Sequence, residues 1–221
     1  MTTVTAPASL PVRRRVAELT GRRVSALQRG YLADEPKAVA AVARLRRGAG
    51  RAAGDVPDLW DLVDTGPLHD TDDGARPLRE SELARAEGAV HVALTLWAVH
   101  QQSRSTGMHR RDTREARRGL GAAIRSTMQH GEIDEPLRKR LVRAGTAPDL
   151  TSLAQRLRDI VTLLRTHGAE LDYALLAGQL YAWQWHGGPA TVRAEWGRSF
   201  HAWRGDPTPD GQRPADTPDA P

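Results

Sequence analysis

Across residues 81–103 the chain carries Val90, Val92, Leu94, Leu96, Trp97 and Val99, and at 100° per residue these cover most of a helix circumference. A helix that is apolar on nearly every side is stable only when other elements surround it. This stretch therefore predicts the central helix of a domain. The surrounding sequence has helical apolar spacing as well, and no segment sustains the alternation with β-branched residues that a strand needs. The predicted fold is all-α: a compact bundle of about eight to nine helices, as one body or two small lobes, with disordered termini. A chain of 221 residues is long enough to bury a core of that size.

The other helices follow in order. Val16, Leu19, Val24, Leu27 and Tyr31 mark a first helix over residues 12–32, with Gly21 as its weak point. Asp34 reads as the N-cap of a second, which starts at Pro36, turns Val39, Val42 and Leu45 inward and ends with Gly48 just past its last turn. The run 57–63 is a short helical turn with Trp60 as a bulky anchor. Beyond the central helix, Asp112 or Thr113 caps a helix to about Gln129 with Ala116, Leu120, Ile124 and Met128 inward. Asp134-Glu135-Pro136 opens a short helix that ends at Gly145. Asp149 caps a cleaner one whose stripe is Leu150, Leu153, Leu157, Ile160, Val161 and Leu164, stopped by Gly168. Helices over 171–185 and 192–203 complete the domain, which spans residues 12–204, with Gly187-Gly188-Pro189 as the break between them. Residues 1–11 read as a disordered leader, and 205–221, with five prolines and four aspartates against one arginine, as a disordered tail.

Charge supplies the functional lead. Residues 104–165 hold 14 Arg or Lys against seven acids, a local net charge of +7 where the whole chain carries +5. Most of these cations sit on helical segments, so they are held on faces. A fixed basic surface attracts polyanions, because each neutralised phosphate releases condensed counterions. Thirty of the 32 cations are Arg, which contacts phosphate without reading sequence. A helix-turn-helix at 136–164 is disfavoured by its long, Pro-containing turn.

Catalysis is hard to assemble from this chain. There is no cysteine, hence no disulfide, zinc knuckle or thiol nucleophile. None of the phosphate-loop, dinucleotide, zincin or nucleophile-elbow motifs occurs. His91 and His100 stand nine apart, which is not a chelating spacing, and read as core histidines. The acidic loop 69–77 lacks the Gly at 75 and the carboxylate at 81 that a calcium loop from Asp70 requires. His109-Arg110-Arg111 lacks a second base for nuclease chemistry. No catalytic residue, metal site or cofactor is expected. No run is long and apolar enough for a signal peptide or membrane span, and a reducing cytoplasm suits the composition.

Several short motifs carry a resemblance: Ala26-Leu27-Gln28-Arg29, Leu45-Arg46-Arg47, Pro57-Asp58-Leu59-Trp60, Gly119-Leu120-Gly121, Leu141-Val142-Arg143-Ala144, Gln155-Arg156-Leu157-Arg158 and Leu171-Asp172-Tyr173. In this order and spacing, over residues 26–185, they resemble the CasB family, the small subunit of the type I-E CRISPR surveillance complex Cascade. The leader, residues 69–79 and the acidic tail fall outside the resemblance. It implies a non-catalytic, all-helical subunit present in two copies, bridging the large subunit and the crRNA-guided backbone subunits. Its basic surface would hold the target and displaced DNA strands of the R-loop, while the guide reads sequence. The strand-binding residues it implies are Arg47 with its neighbour Arg46, Arg143, and Arg156 or Arg158, joined by Arg110 and Arg111 and by Arg138. The alternatives are an adaptor whose arginines meet acidic protein surfaces, or a nuclease. If strands are held, Arg47, Arg143 and Arg156 or Arg158 should converge on one groove.

Overall fold

In the computed structural model, which describes residues 9–69, 77–129 and 132–203, every side chain from Ala89 to Gln101 is buried. They belong to α3 (Glu80–Gln101), and the helices around it explain the burial. In chain order these are α1 (Ser9–Leu32), α2 (Pro36–Gly48), α4 (Leu120–Ser126), α5 (Glu135–Gly145), α6 (Leu150–His167), α7 (Tyr173–Trp183) and α8 (Gly188–Ala202). Helices α1, α2, α6 and α7 pack directly on α3, while α4, α5 and α8 form a second group joined to them through α6 and α7. One continuous apolar cluster draws residues from all eight helices, so the two groups share a core and are not separate lobes. Among the described residues there is no strand beyond a single bridge between His109 and Leu171, and no helix is long and apolar enough to cross a membrane.

Local chemistry sets the helix ends. The Asp134 carboxylate accepts from the Leu137 amide at 2.9 Å, and that of Asp149 from Ser152 at 2.7 Å, each satisfying an amide that the first turn leaves unpaired. Gly168 stops α6 at φ 67°, a left-handed conformation that costs other residues a Cβ clash. The crossing of α1 and α7 is close because Gly21 has no side chain, and a Cβ there would lie 3.0 Å from that of Ala174. Far from breaking α1, Gly21 is the residue that lets α7 approach.

Several expectations need correction. Helix α1 starts at Ser9, earlier than residue 12, and Asp34 is a φ 53° residue of the turn, so that Glu35 takes the N-cap of α2. Gly48 lies within α2, buried, where a Cβ would press on Leu59 Cδ1, and the left-handed glycine is Gly50 at φ 83°. Val39 faces outward, and Ala38 and Ala41 pack inward beside Val42 and Leu45. Trp60 does not anchor its turn either: Leu59 and Val63 are buried while Trp60 is 65% exposed.

The helix expected over 112–129 shrinks to α4, and residues 102–119 instead run as an irregular strap between α1 and α7. Asp112 does cap, but by folding back: its Oδ1 accepts from the amides of Arg118 at 2.5 Å and Gly119 at 2.9 Å. The Asp112 amide in turn donates to Asp172 at 2.8 Å. Tertiary partners thus replace the amide–carbonyl ladder that a helix from 112 would have made. Helix α7 starts two residues later than 171, because Leu171 bridges to His109, and α8 begins at Gly188, just after Gly187 at φ 74°. The acidic loop at 70–76 and the tail from 204 lie outside the described residues, as do the first eight residues of the leader.

His100 donates or accepts through Nδ1 at 2.9 Å from the Tyr173 hydroxyl. Burial, helped by the nearby Arg104 charge, pushes its pKa from the usual 6.5 down to about 3. The unfolded side chain takes up its proton near pH 6.5, whereas folded His100 stays neutral until about pH 3. Between those values the unfolded state binds more protons, so stability falls as the pH drops through the window. Burial lowers His91 and His109 in the same direction. The free energy of urea unfolding is therefore expected to fall between pH 6.5 and 5 by up to about 1.4 kcal/mol per unit for each histidine. His100→Gln should flatten that slope by one proton, and a pH-independent unfolding midpoint would contradict it.

Candidate nucleic-acid interface

Helices α5 and α6 are joined by a tight turn and lie side by side, which places their outward cations opposite one another. The space between them is an open groove of about 680 Å³ lined by Arg140, Arg143, Ser152, Gln155, Arg156, Asp159 and Thr162. Leu137, Leu141 and Ala144 are the buried stripe of α5, so Arg140 and Arg143, three residues apart, necessarily share its outer side. On α6 the stripe from Leu153 to Leu164 is buried and Arg156 stands at its edge. The Arg156 guanidinium donates to the Arg143 carbonyl, which fixes its stem along the groove wall. Arg140 and Arg143 pair with no carboxylate among the described residues, and Asp159 is the one acid that lines the groove.

The structure separates the remaining predicted residues. Arg158, two residues past Arg156, points to the other flank of α6 and donates to the Ala49 carbonyl at 3.3 Å. It thereby lies against the loop that follows α2, whose last turn carries the half-buried Arg46 and the exposed Arg47. Arg47 Nη2 is 3.8 Å from Asp58, a long and exposed ion pair of little energetic weight. The loop borders the groove, since a Cβ on Gly50 would stand 3.6 Å from Gln155 Cγ and 4.0 Å from Arg158 Cδ. Gln155 thus lies between the groove and that loop. A basic band runs from Arg143 and Arg156, which line the groove, past Arg158 to Arg47 at the α2 end, which do not.

Three predicted residues do not reach this band through any contact. Arg138 is held by its own helix neighbour Glu135 at 2.8 Å, which keeps that carboxylate below the usual range. Arg110 is bound to Glu170 at 2.8 Å, and Arg118 grips the other oxygen of the same carboxylate at 2.9 Å. Arg111 lies over Gly21 and lines a separate groove along α1 with Glu18, Arg22, Ser25 and Arg29. The site residues that sequence reasoning passed over are Arg140 and Gln155. Arg140 was legible as the i−3 neighbour of Arg143. Gln155 was not, because its position depends on the loop after α2.

The arrangement offers guanidinium donors in a row, one carboxylate and no His, which suits a polyanion held by its backbone. Among the described residues no group of three or more His, Asp or Glu is placed to hold a metal ion.

The family model for the CRISPR-associated protein Cse2 matches residues 41–201. Among solved structures, the crystal structure of CasB from Thermobifida fusca is similar with a TM-score of 0.73 and 48% sequence identity, covering 84% of this chain and 97% of that one. No curated protein matches.

Proposed function

Since the chain belongs to the CRISPR-associated Cse2 family, we propose that it serves as the non-catalytic small subunit of a type I-E Cascade complex and holds opened DNA strands by their phosphates. Its partners in this reading are the large and backbone subunits, a second copy of itself, and the crRNA-guided R-loop, in the cytoplasm. The observation that carries the reading is the α5–α6 groove, where Arg140, Arg143 and Arg156 stand together, whereas Arg110 and Arg138 are occupied by the protein's own acids. Exchange of a DNA duplex for a guide–target heteroduplex is nearly balanced in energy, so a few backbone contacts decide whether the opened state persists. A row of guanidinium groups supplies them without sequence preference.

The test is binding of the purified protein to mixed-sequence single- and double-stranded DNA across a salt series. For about six phosphate contacts the log–log slope is expected near −4 to −5.5, since each contact contributes about −0.7 on single strands and −0.9 on duplex. Arg143→Ala should make the slope shallower by about one contact and leave the melting temperature within about 2 °C, because the side chain is exposed and unpaired. A flat salt response would assign the groove to an acidic protein surface instead.

A further inference from the structure

Trp60 is 65% exposed, more than any other large apolar side chain of the described residues. Nothing in the packing requires it to be there, since Leu59 and Val63 already fill the core position of its turn. The turn is also held firmly. Arg44 grips the Asp61 carboxylate with both terminal nitrogens, at 2.9 and 2.6 Å, and donates to the Asp58 carbonyl as well. The indole therefore projects from a fixed backbone. The Arg44–Asp61 pair is internally neutral, and Asp58, two residues before the ring, keeps a 57% exposed carboxylate. One helical turn further along α2, Arg47 is 67% exposed and only loosely engaged by Asp58. Beyond it the basic band continues through Arg158 and Gln155 into the α5–α6 groove.

An exposed aromatic face on a rigid turn, next to the end of a phosphate-binding band, is the arrangement by which proteins stack an unpaired base while tracking its backbone. We infer that Trp60 is a stacking platform for an unpaired nucleobase of the strand held along the Arg47–Arg143 band. This rests on the strand-holding reading above and adds a preference that guanidinium groups alone do not give. Phosphates are present on duplex and single strand alike, whereas a base face is free only when the strand is unpaired.

The experiment compares the full-length protein with Trp60→Ala and Trp60→Phe, using fluorescein-labelled single-stranded DNA of mixed sequence, the same sequence as duplex, and a single strand of abasic sites. Trp60→Ala is expected to weaken single-strand binding by about ten- to a hundredfold, to change duplex binding less than twofold and to leave the salt slope untouched. Trp60→Phe should retain most of the affinity. On the abasic strand the wild-type protein should lose its advantage over Trp60→Ala. Equal single-strand affinities for wild type and Trp60→Ala, with steep salt dependence intact, would overturn the stacking role and leave the strand-holding reading standing. The same holds if Trp60→Ala binds DNA normally but fails to join the other subunits, which would make Trp60 a protein contact. Equal losses on single strand and duplex would also overturn it. Absence of binding to any of the three nucleic acids would remove both inferences together.

Discussion

Gly121→Ala is expected to lower the melting temperature by roughly 5–15 °C, although it adds one methyl group to a helix and alanine is the better helix former. Gly121 is buried in α4, where that helix crosses α8. A Cβ at this position would overlap the Trp196 carbonyl oxygen and stand 2.6 Å from the Phe200 amide nitrogen. Both are backbone atoms of α8, so no rotamer change relieves the overlap and the helices must separate. Trp196 and Phe200 are among the buried side chains that such a shift would disturb. Overpacking costs about 1–3 kcal/mol and more where backbone is struck, against a propensity gain of at most about 1 kcal/mol. For a domain of this size each kcal/mol corresponds to about 2–4 °C. Thermal unfolding followed by far-UV circular dichroism measures it, and an unchanged midpoint would show that α8 is not seated on α4 in this way.

The second large effect is expected at Asp172. Its carboxylate is almost fully buried and accepts from three amides: Ala174 at 2.9 Å, Leu175 at 3.0 Å and Asp112 at 2.8 Å. The first two are the N-cap bonds of α7, and the third ties the strap of residues 102–119 to that helix. Asp172→Ala removes a cap worth about 1 kcal/mol and leaves buried donors unpaired at roughly 1–3 kcal/mol apiece. A loss of about 3–5 kcal/mol is expected in urea unfolding. Asp172→Asn, which keeps one carbonyl oxygen as acceptor, should lose less than half as much. If the two variants proved equally unstable, the negative charge beside His109, and not the hydrogen bonds, would be the important quantity.

How much of this was legible in the sequence depends on whether one helix or two decide a position. The α6 stripe follows from apolar spacing along a single helix, and the buried residues match it from Leu153 to Leu164. The encircled α3 was legible for the same reason. Gly48 and Gly21 were misread because a glycine that admits a neighbouring helix looks the same as one that ends or weakens its own. The strap was misread because Asp112 is a good cap in sequence, and only the structure shows its carboxylate spent on Arg118 and Gly119. In the functional band, Arg143 and Arg156 are 13 residues apart on different helices, and their shared groove depends on the α5–α6 turn. The opposite direction of Arg158 follows from its two-residue offset on α6, yet its landing point on Ala49 required α2 to be placed first. Trp60 was read as an anchor from size alone, although Leu59 and Val63, four apart, already carried the inward face.

The encircled helix also has a consequence in time. Helix α3 is complete at Gln101, but α6 and α7, which cover two of its flanks, end only at His167 and Trp183. A ribosome adding roughly 5–20 residues per second takes on the order of 4–16 s to go from Gln101 to Trp183. Until α6 is made, this long apolar helix has only α1 and α2 against it, and α1 itself awaits α7. The nascent protein must therefore carry its future centre partly exposed over that stretch of its synthesis, and it is sheltered only when α6 and α7 arrive.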